Sequence, residues 1–156
     1  RAAPLARNVA SGGASTASAA QLIKPIRSEP RSSAVLLDVD GTVAPIVRHA
    51  ADAQVPPNTH ELLRTIARQY GLLAFVSGRQ ASEARRIVGV GSATYIGGHG
   101  SELLRAGTTT TEIDPEVAKW SSVVSKTAHR LHAGELRSLR VRLEDKGAIW
   151  SFHWPG

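Results

Sequence analysis

Two carboxylates spaced two residues apart, at the end of an apolar run, are the first feature of this sequence that carries chemistry. Asp38-Val39-Asp40-Gly41-Thr42 follows the run Ala34 to Leu37. Successive strand residues point to opposite faces, so Asp38 and Asp40 share a side if extended geometry persists to Asp40. Gly41 lets the chain turn away, and Thr42 brings a hydroxyl back. Such a pair, together with a metal, suits phosphoryl transfer: one carboxylate attacks phosphorus and the other handles the proton of the leaving oxygen. Acidic residues and Gly also end strands as ordinary turn chemistry, and a lone DxD is the metal-binding triplet of many sugar-nucleotide glycosyltransferases. The preceding apolar strand, the full DxDGT and the apolar Val43 favour the phosphoryl-transfer reading.

A second group follows the next apolar run. Ser77-Gly78-Arg79 succeeds Leu72 to Val76, where a hydroxyl and the N–H groups of a helix start are placed to hold phosphoryl oxygens. Ser77 taken alone reads as an ordinary helix N-cap, and Arg79 either reaches a substrate or locks its own loop. His99, set in Gly97-Gly98-His99-Gly100, is open to a substrate-side role or a structural hydrogen bond. His49, His60, His129, His132 and His153 have no metal-ligand spacing.

These groups need elements to hold them. Ala34–Leu37, Leu72–Val76 and Ala93–Ile96 read as buried parallel strands. A helix is predicted between the first two, opened by Asn58 with Glu61 as a capping box and stopped by Gly71. A second, with Ala84, Ile87 and Val88 inward, stops at Gly89. The alternation implies an α/β sheet with ligands at the carboxyl ends of its strands. Beyond Gly100 the pattern changes. Residues 101–106 and 108–113 form a candidate hairpin through Gly107, and Asp114 caps a helix with Pro115 and Glu116 in its first turn. Val117, Trp120, Val124, Ala128 and Leu131 form the predicted inner face of that helix. Residues 139–143 and 148–154 read as an antiparallel pair. The domain reading is a flexible tail or linker over 1–33, a core over 34–100 and a separate helix-on-sheet unit over 101–156.

Composition narrows the partners. The net charge of +6 is concentrated in the first 33 residues, where Arg1, Arg7, Lys24, Arg27 and Arg31 face only Glu29. No basic stripe with interleaved aromatics marks the rest, which argues against nucleic acid. No apolar run approaches the roughly 20 residues a bilayer span needs, so no membrane partner is expected. The expected location is cytoplasmic. The absence of Cys excludes disulfides and thiolate metal sites.

The motifs resemble those of the haloacid-dehalogenase-like phosphatases, and within them the trehalose-6-phosphate phosphatases. The resemblance rests on LLDVDGTVAPIV (36–47), FVSGR (75–79), YIGGHGSELL (95–104) and LEDKGAIWSFHW (143–154). It implies a haloacid-dehalogenase-like core with the first half of an α+β cap, and a small-molecule sugar phosphate as substrate. It implies Asp38 as nucleophile, Asp40 as general acid and base, and Mg2+ held by the Asp38 carboxylate and the Asp40 carbonyl. Thr42, Ser77, Gly78, Arg79 and His99 fall at phosphate- or substrate-side positions. Glu144 and Lys146, in a mobile cap, would contact sugar hydroxyls. Two positions depart from the family pattern: Val39 stands where an aromatic is common, and Pro155 where a basic residue often follows the histidine-aromatic pair. The third-motif Lys and fourth-motif acidic pair have no counterpart before Gly156, so the chain reads as the truncated N-terminal part of such an enzyme, inactive by itself. The alternatives are another capped sugar phosphatase, or a non-catalytic phosphatase-like module fused to or associated with a synthase.

Overall fold

The computed structural model describes residues 18–147 and 149–155. Three strands lie side by side in parallel: β1 (Ala34–Asp38), β2 (Leu72–Val76) and β3 (Thr94–Gly97). The crossovers are helices, α2 (Pro57–Gln69) after β1 and α3 (Ala81–Val88) after β2, with α1 (Ala19–Ser28) preceding them all. Leu73, Ala74 and Phe75 are buried in sequence, as expected of a strand covered on both faces. Phe75 stacks on Tyr95 with ring centroids 5.2 Å apart. The Tyr95 hydroxyl donates to the Val90 carbonyl at 2.8 Å, and burial pushes its pKa up to about 12. Leu63 of α2 and Ala84, Ile87 and Val88 of α3 close the core. β1 is an edge strand among the described residues, and its Leu36 is 59% exposed.

The sheet does not stop at residue 100. β4 (Glu102–Leu104) runs antiparallel to β3, and β5 (Thr111–Ile113) antiparallel to β4, giving the order β1-β2-β3-β4-β5. The expected hairpin therefore exists but belongs to the core sheet. The tight reversal through Gly98, His99 and Gly100 brings Glu102 back opposite Gly97, and Leu104 is buried opposite Tyr95. Helix α4 (Pro115–Leu131) and a two-stranded sheet, β6 (Arg142–Asp145) with β7 (Trp150–His153), form the second unit.

Three local expectations need correction. Within the stretch read as a tail, residues 19–28 are helical; residues 1–17 lie outside the described residues, as do Ala148 and Gly156. Helix α2 starts at Pro57 with Pro56 at the cap, two residues ahead of the expected cap at Asn58; proline's fixed φ suits the first helical turn. Asp114 does cap α4, accepting from the Glu116 and Val117 N–H groups. Its shielded stripe, however, shares only Val117 and Ala128 with the predicted face. Val117, Ser121, Ser125, Thr127 and Ala128 are the shielded positions, while Trp120 is 62% and Leu131 52% exposed. From the hairpin, Trp150 sets its ring edge-on to His129 at 4.6 Å.

Gly97 is where the two loops that end β2 and β3 meet. A Cβ there would collide with the Ala81 backbone nitrogen and lie 2.8 Å from the Arg79 carbonyl oxygen. Both are backbone atoms and cannot rotate aside. Gly97→Ala is expected to destabilise the fold by about 1–3 kcal/mol, read as a lower urea midpoint; an unchanged midpoint would contradict this packing.

Candidate active site

The DxDGT segment folds into a knot. Val39 is fully buried, its carbonyl accepting from the N–H groups of Val43 and Ala44, while the Gly41 N–H donates to the Ala44 carbonyl at 2.7 Å. Burying Val39 turns Asp38 and Asp40 to the other side, as the two-residue period requires. Gly41 takes φ +82°, which an L side chain rarely adopts. The Thr42 hydroxyl donates to Asp38 Oδ2 at 3.4 Å. Among the described residues the Asp40 carbonyl oxygen has no backbone partner. One exposed carboxylate and one free carbonyl suit a hard cation that keeps most of its water, and the described residues hold no cluster of three or more metal-ligating side chains.

The second loop is clasped by the third. Asp38 pairs in register with Val76, so Ser77 stands one residue beyond it on the neighbouring strand. The Ser77 N–H donates to the Ile96 carbonyl, the His99 N–H to the Ser77 carbonyl, and the Gly98 N–H to the Arg79 carbonyl. Glu102, buried, accepts from the Ala81 N–H at 2.7 Å and so caps the first turn of α3. His99 sits at φ +55°, a left-handed conformation uncommon for a residue with a side chain. Its ring lies against Gly78, where a Cβ would come within 2.7 Å of His99 Cε1. Ser77 is buried and its Oγ accepts from the Arg79 N–H at 3.1 Å. That bond closes a tight turn before α3, whose N-cap position is Gln80 rather than Ser77.

Arg79 is committed to the protein. Its Nε and Nη2 donate to the two oxygens of Asp40 at 2.8 and 2.9 Å, and its Nη1 to Glu83 at 2.6 Å and to the Ala50 carbonyl at 3.1 Å. These contacts tie the loop after β2 to the end of β1 and to α3. The hydrogen bonds from Arg79, and then its charge, outweigh burial and hold the Asp40 carboxyl below the usual carboxylate range; the Asp40 hydrogen bond raises Arg79 in turn.

Above this floor lies the β6–β7 hairpin. A cleft of about 740 Å³ is walled on the core side by Asp40, Gly78, Arg79 and His99 and on the hairpin side by Arg142, Glu144, Lys146 and His153. A Cβ on Gly147 would lie 3.3 Å from Gln80 Nε2 and 3.4 Å from Glu102 Oε1, so the hairpin turn rests on the core. Burial would raise the Glu144 pKa, but the hydrogen bond from His153 and the charges of Lys146, His153 and Arg142 leave it lowered. Six of the residues singled out from sequence therefore face one cleft: Asp40, Gly78, Arg79, His99, Glu144 and Lys146. Asp38, Thr42 and Ser77 are not among its walls and stand at the adjoining ends of β1 and β2. Sequence reasoning missed Glu83, Glu102 and His153. Glu83 carried a signal, four residues after Arg79 on a helix; the other two depend on long-range pairing.

Removing Arg79 tests the electrostatics. Asp40 contributes stability that is present above its unfolded pKa and lost as pH falls through its lowered folded value. The stability margin of wild type over Arg79→Met is therefore expected to be full above about pH 4 and to shrink below it, followed by urea denaturation across pH. A margin constant with pH would contradict the pairing.

Comparison with known proteins adds to this geometry. The profile of the family described as Trehalose-phosphatase matches residues 36–155. Probable trehalose-phosphate phosphatase D of Arabidopsis thaliana is 33% identical over 76 residues, which are 49% of this chain and 20% of that protein. The solved C-terminal domain of the C. albicans trehalose-6-phosphate phosphatase has a TM-score of 0.70 at 18% identity, over 85% of this chain and 46% of that one. A solved trehalose-6-phosphate phosphatase related protein has a TM-score of 0.59 at 18% identity, over 74% of this chain and 48% of that one. The chain thus spans about half the length of these solved proteins and far less of the Arabidopsis one. At this identity the structural likeness establishes the fold, an α/β core of haloacid-dehalogenase-like type. The profile match, from within β1 to past β7, shows that the chain belongs to the trehalose-phosphatase family.

Proposed function

We propose that the protein hydrolyses trehalose 6-phosphate to trehalose and phosphate through an aspartyl-phosphate on Asp38. The observation that carries this reading is the Asp40–Arg79 pair, beside the β1 end that bears Asp38, facing a hairpin that presents Glu144 and Lys146 across one cleft.

In the first half-reaction an Asp38 carboxylate oxygen attacks phosphorus, the bond from phosphorus to the sugar oxygen breaks, and the Asp40 proton passes to that oxygen. In the second half, the Asp40 carboxylate takes a proton from water as it attacks the aspartyl-phosphate, which releases phosphate and restores Asp38. Arg79 suits Asp40 to this second task by keeping it ionised. The first task needs a protonated Asp40. A phosphate dianion in the cleft would compete for Arg79 and, by like-charge repulsion, favour the protonated form. Magnesium, held by the Asp38 carboxylate and the Asp40 carbonyl, would offset negative charge between nucleophile and phosphate.

The sugar side rests on the hairpin. A neutral disaccharide offers hydroxyls, and Glu144 and Lys146 supply an acceptor and a donor for them across from the reacting carboxylates. Closing the hairpin over the cleft would exclude bulk water during transfer to Asp38.

Two substitutions in the full-length protein separate chemistry from recognition. Asp38→Asn keeps the shape but removes the nucleophile, and turnover is expected to fall by at least about 10³-fold with the far-UV circular dichroism unchanged; retained phosphate release would overturn the mechanism. Glu144→Ala is expected to lower kcat/KM for trehalose 6-phosphate by about 10- to 100-fold, the size of a lost charged hydrogen bond. A small aryl phosphate, lacking the disaccharide, should be nearly unaffected. Equal losses on both substrates would place Glu144 outside sugar recognition.

A further inference from the structure

We propose that His153 is a positioning residue that fixes the Glu144 carboxylate for the sugar. This inference rests on the reading of Glu144 just given and adds a residue that the sequence left without a role.

The register of the hairpin puts the two side chains together. Arg142 pairs with His153 and Glu144 with Ser151, in antiparallel alignment. Directly opposed residues point to the same face, as do residues two apart on a strand, so Arg142, Glu144, Ser151 and His153 share one face. Arg142, Glu144 and His153 line the cleft, across from Asp40, Arg79 and His99. The opposite face carries Trp150, which packs edge-on against His129 of α4. The hairpin is thereby held by one face and presents the other.

Within the presented face the contacts on Glu144 are one-sided. His153 Nε2 meets Glu144 Oε2 directly, and Lys146 Nζ is 3.6 Å from the same oxygen. Both fall on Oε2, and among the described residues Oε1 has no hydrogen-bond partner, which leaves it to accept one from a ligand. A glutamate carries several rotatable bonds, and ordering it only when substrate arrives would cost conformational entropy at that moment. A carboxylate already gripped by an imidazole on the neighbouring strand has lost that freedom beforehand. Nε2 serves as donor both in the imidazolium and in the neutral ring protonated at Nε2, so the grip does not depend on a change of charge. His153 is about as exposed as Glu144, at 41% and 36%. It is not a buried packing residue, and its loss leaves the hairpin's attachment to α4 intact.

The test compares His153→Phe and His153→Gln in the full-length protein, alone and combined with Glu144→Ala, on trehalose 6-phosphate and on a small aryl phosphate. His153→Phe removes the donor and is expected to raise KM for trehalose 6-phosphate about tenfold with kcat nearly unchanged and the aryl phosphate unaffected. His153→Gln returns an N–H donor at similar reach and is expected to restore most of the lost affinity. In the Glu144→Ala background, His153→Phe should add nothing, because there is no carboxylate left to position. Equal losses on both substrates, failure of Gln to restore KM, or full additivity with Glu144→Ala would each overturn the proposal. A wild-type enzyme inert towards trehalose 6-phosphate, or a Glu144→Ala variant indistinguishable from it, would instead overturn the underlying reading of the cleft, and this inference with it.

Discussion

The bidentate pair between Arg79 and Asp40 joins two loops that the sheet by itself only brings near each other. Asp40 belongs to the knot that ends β1, Arg79 to the turn that follows β2, and the guanidinium's fixed fork matches both carboxylate oxygens at once. The same guanidinium reaches Glu83 in the first turn of α3 and the Ala50 carbonyl in the segment leading to α2. One side chain thereby ties its own turn to three other pieces of chain around the carboxyl ends of β1 and β2. A lysine could supply the charge but not this geometry.

Everything around the pair is arranged to keep Arg79 where it is. Its backbone N–H is held by the Ser77 hydroxyl and its carbonyl by the Gly98 N–H, and the loop that supplies Gly98 turns there by placing His99 in a left-handed conformation over Gly78. Glu102 completes the clasp from β4 by capping α3. The antiparallel extension of the sheet is thus part of the site: without β4, the turn carrying Arg79 would lose its support from below. The hairpin rests on the same ground, its turn at Gly147 lying over Gln80 and Glu102.

How much of this was legible in the sequence depends on the range of the interaction concerned. The parallel strands, the paired aspartates and the Asp114 cap are short-range patterns, and the residues that encode them are neighbours in the chain. The membership of β4 and β5 in the core sheet was not legible, because Glu102–Leu104 pairs with β3 only after the reversal at His99. Nor was the true inner stripe of α4. Counting apolar residues points to Trp120 and Leu131, which are exposed, whereas the polar Ser121 and Ser125 are partly shielded. The partners of Arg79 were not legible, and His153 had no reading, since its contact with Glu144 depends on strand register rather than on spacing along the chain.

The account stands or falls on whether Asp38 carries the phosphoryl group, with Asp40 serving the leaving oxygen and then the attacking water. The most direct measurement is a single turnover of excess full-length enzyme with trehalose 6-phosphate, quenched in acid within the first turnover and followed by peptide mass mapping. The predicted result is one hydroxylamine-labile phosphoryl group on the peptide containing Asp38, accumulating more strongly in Asp40→Asn given an aryl phosphate, whose leaving group needs no proton from Asp40. Complete release of phosphate with no covalent label at any time, in wild type and in Asp40→Asn alike, would contradict it.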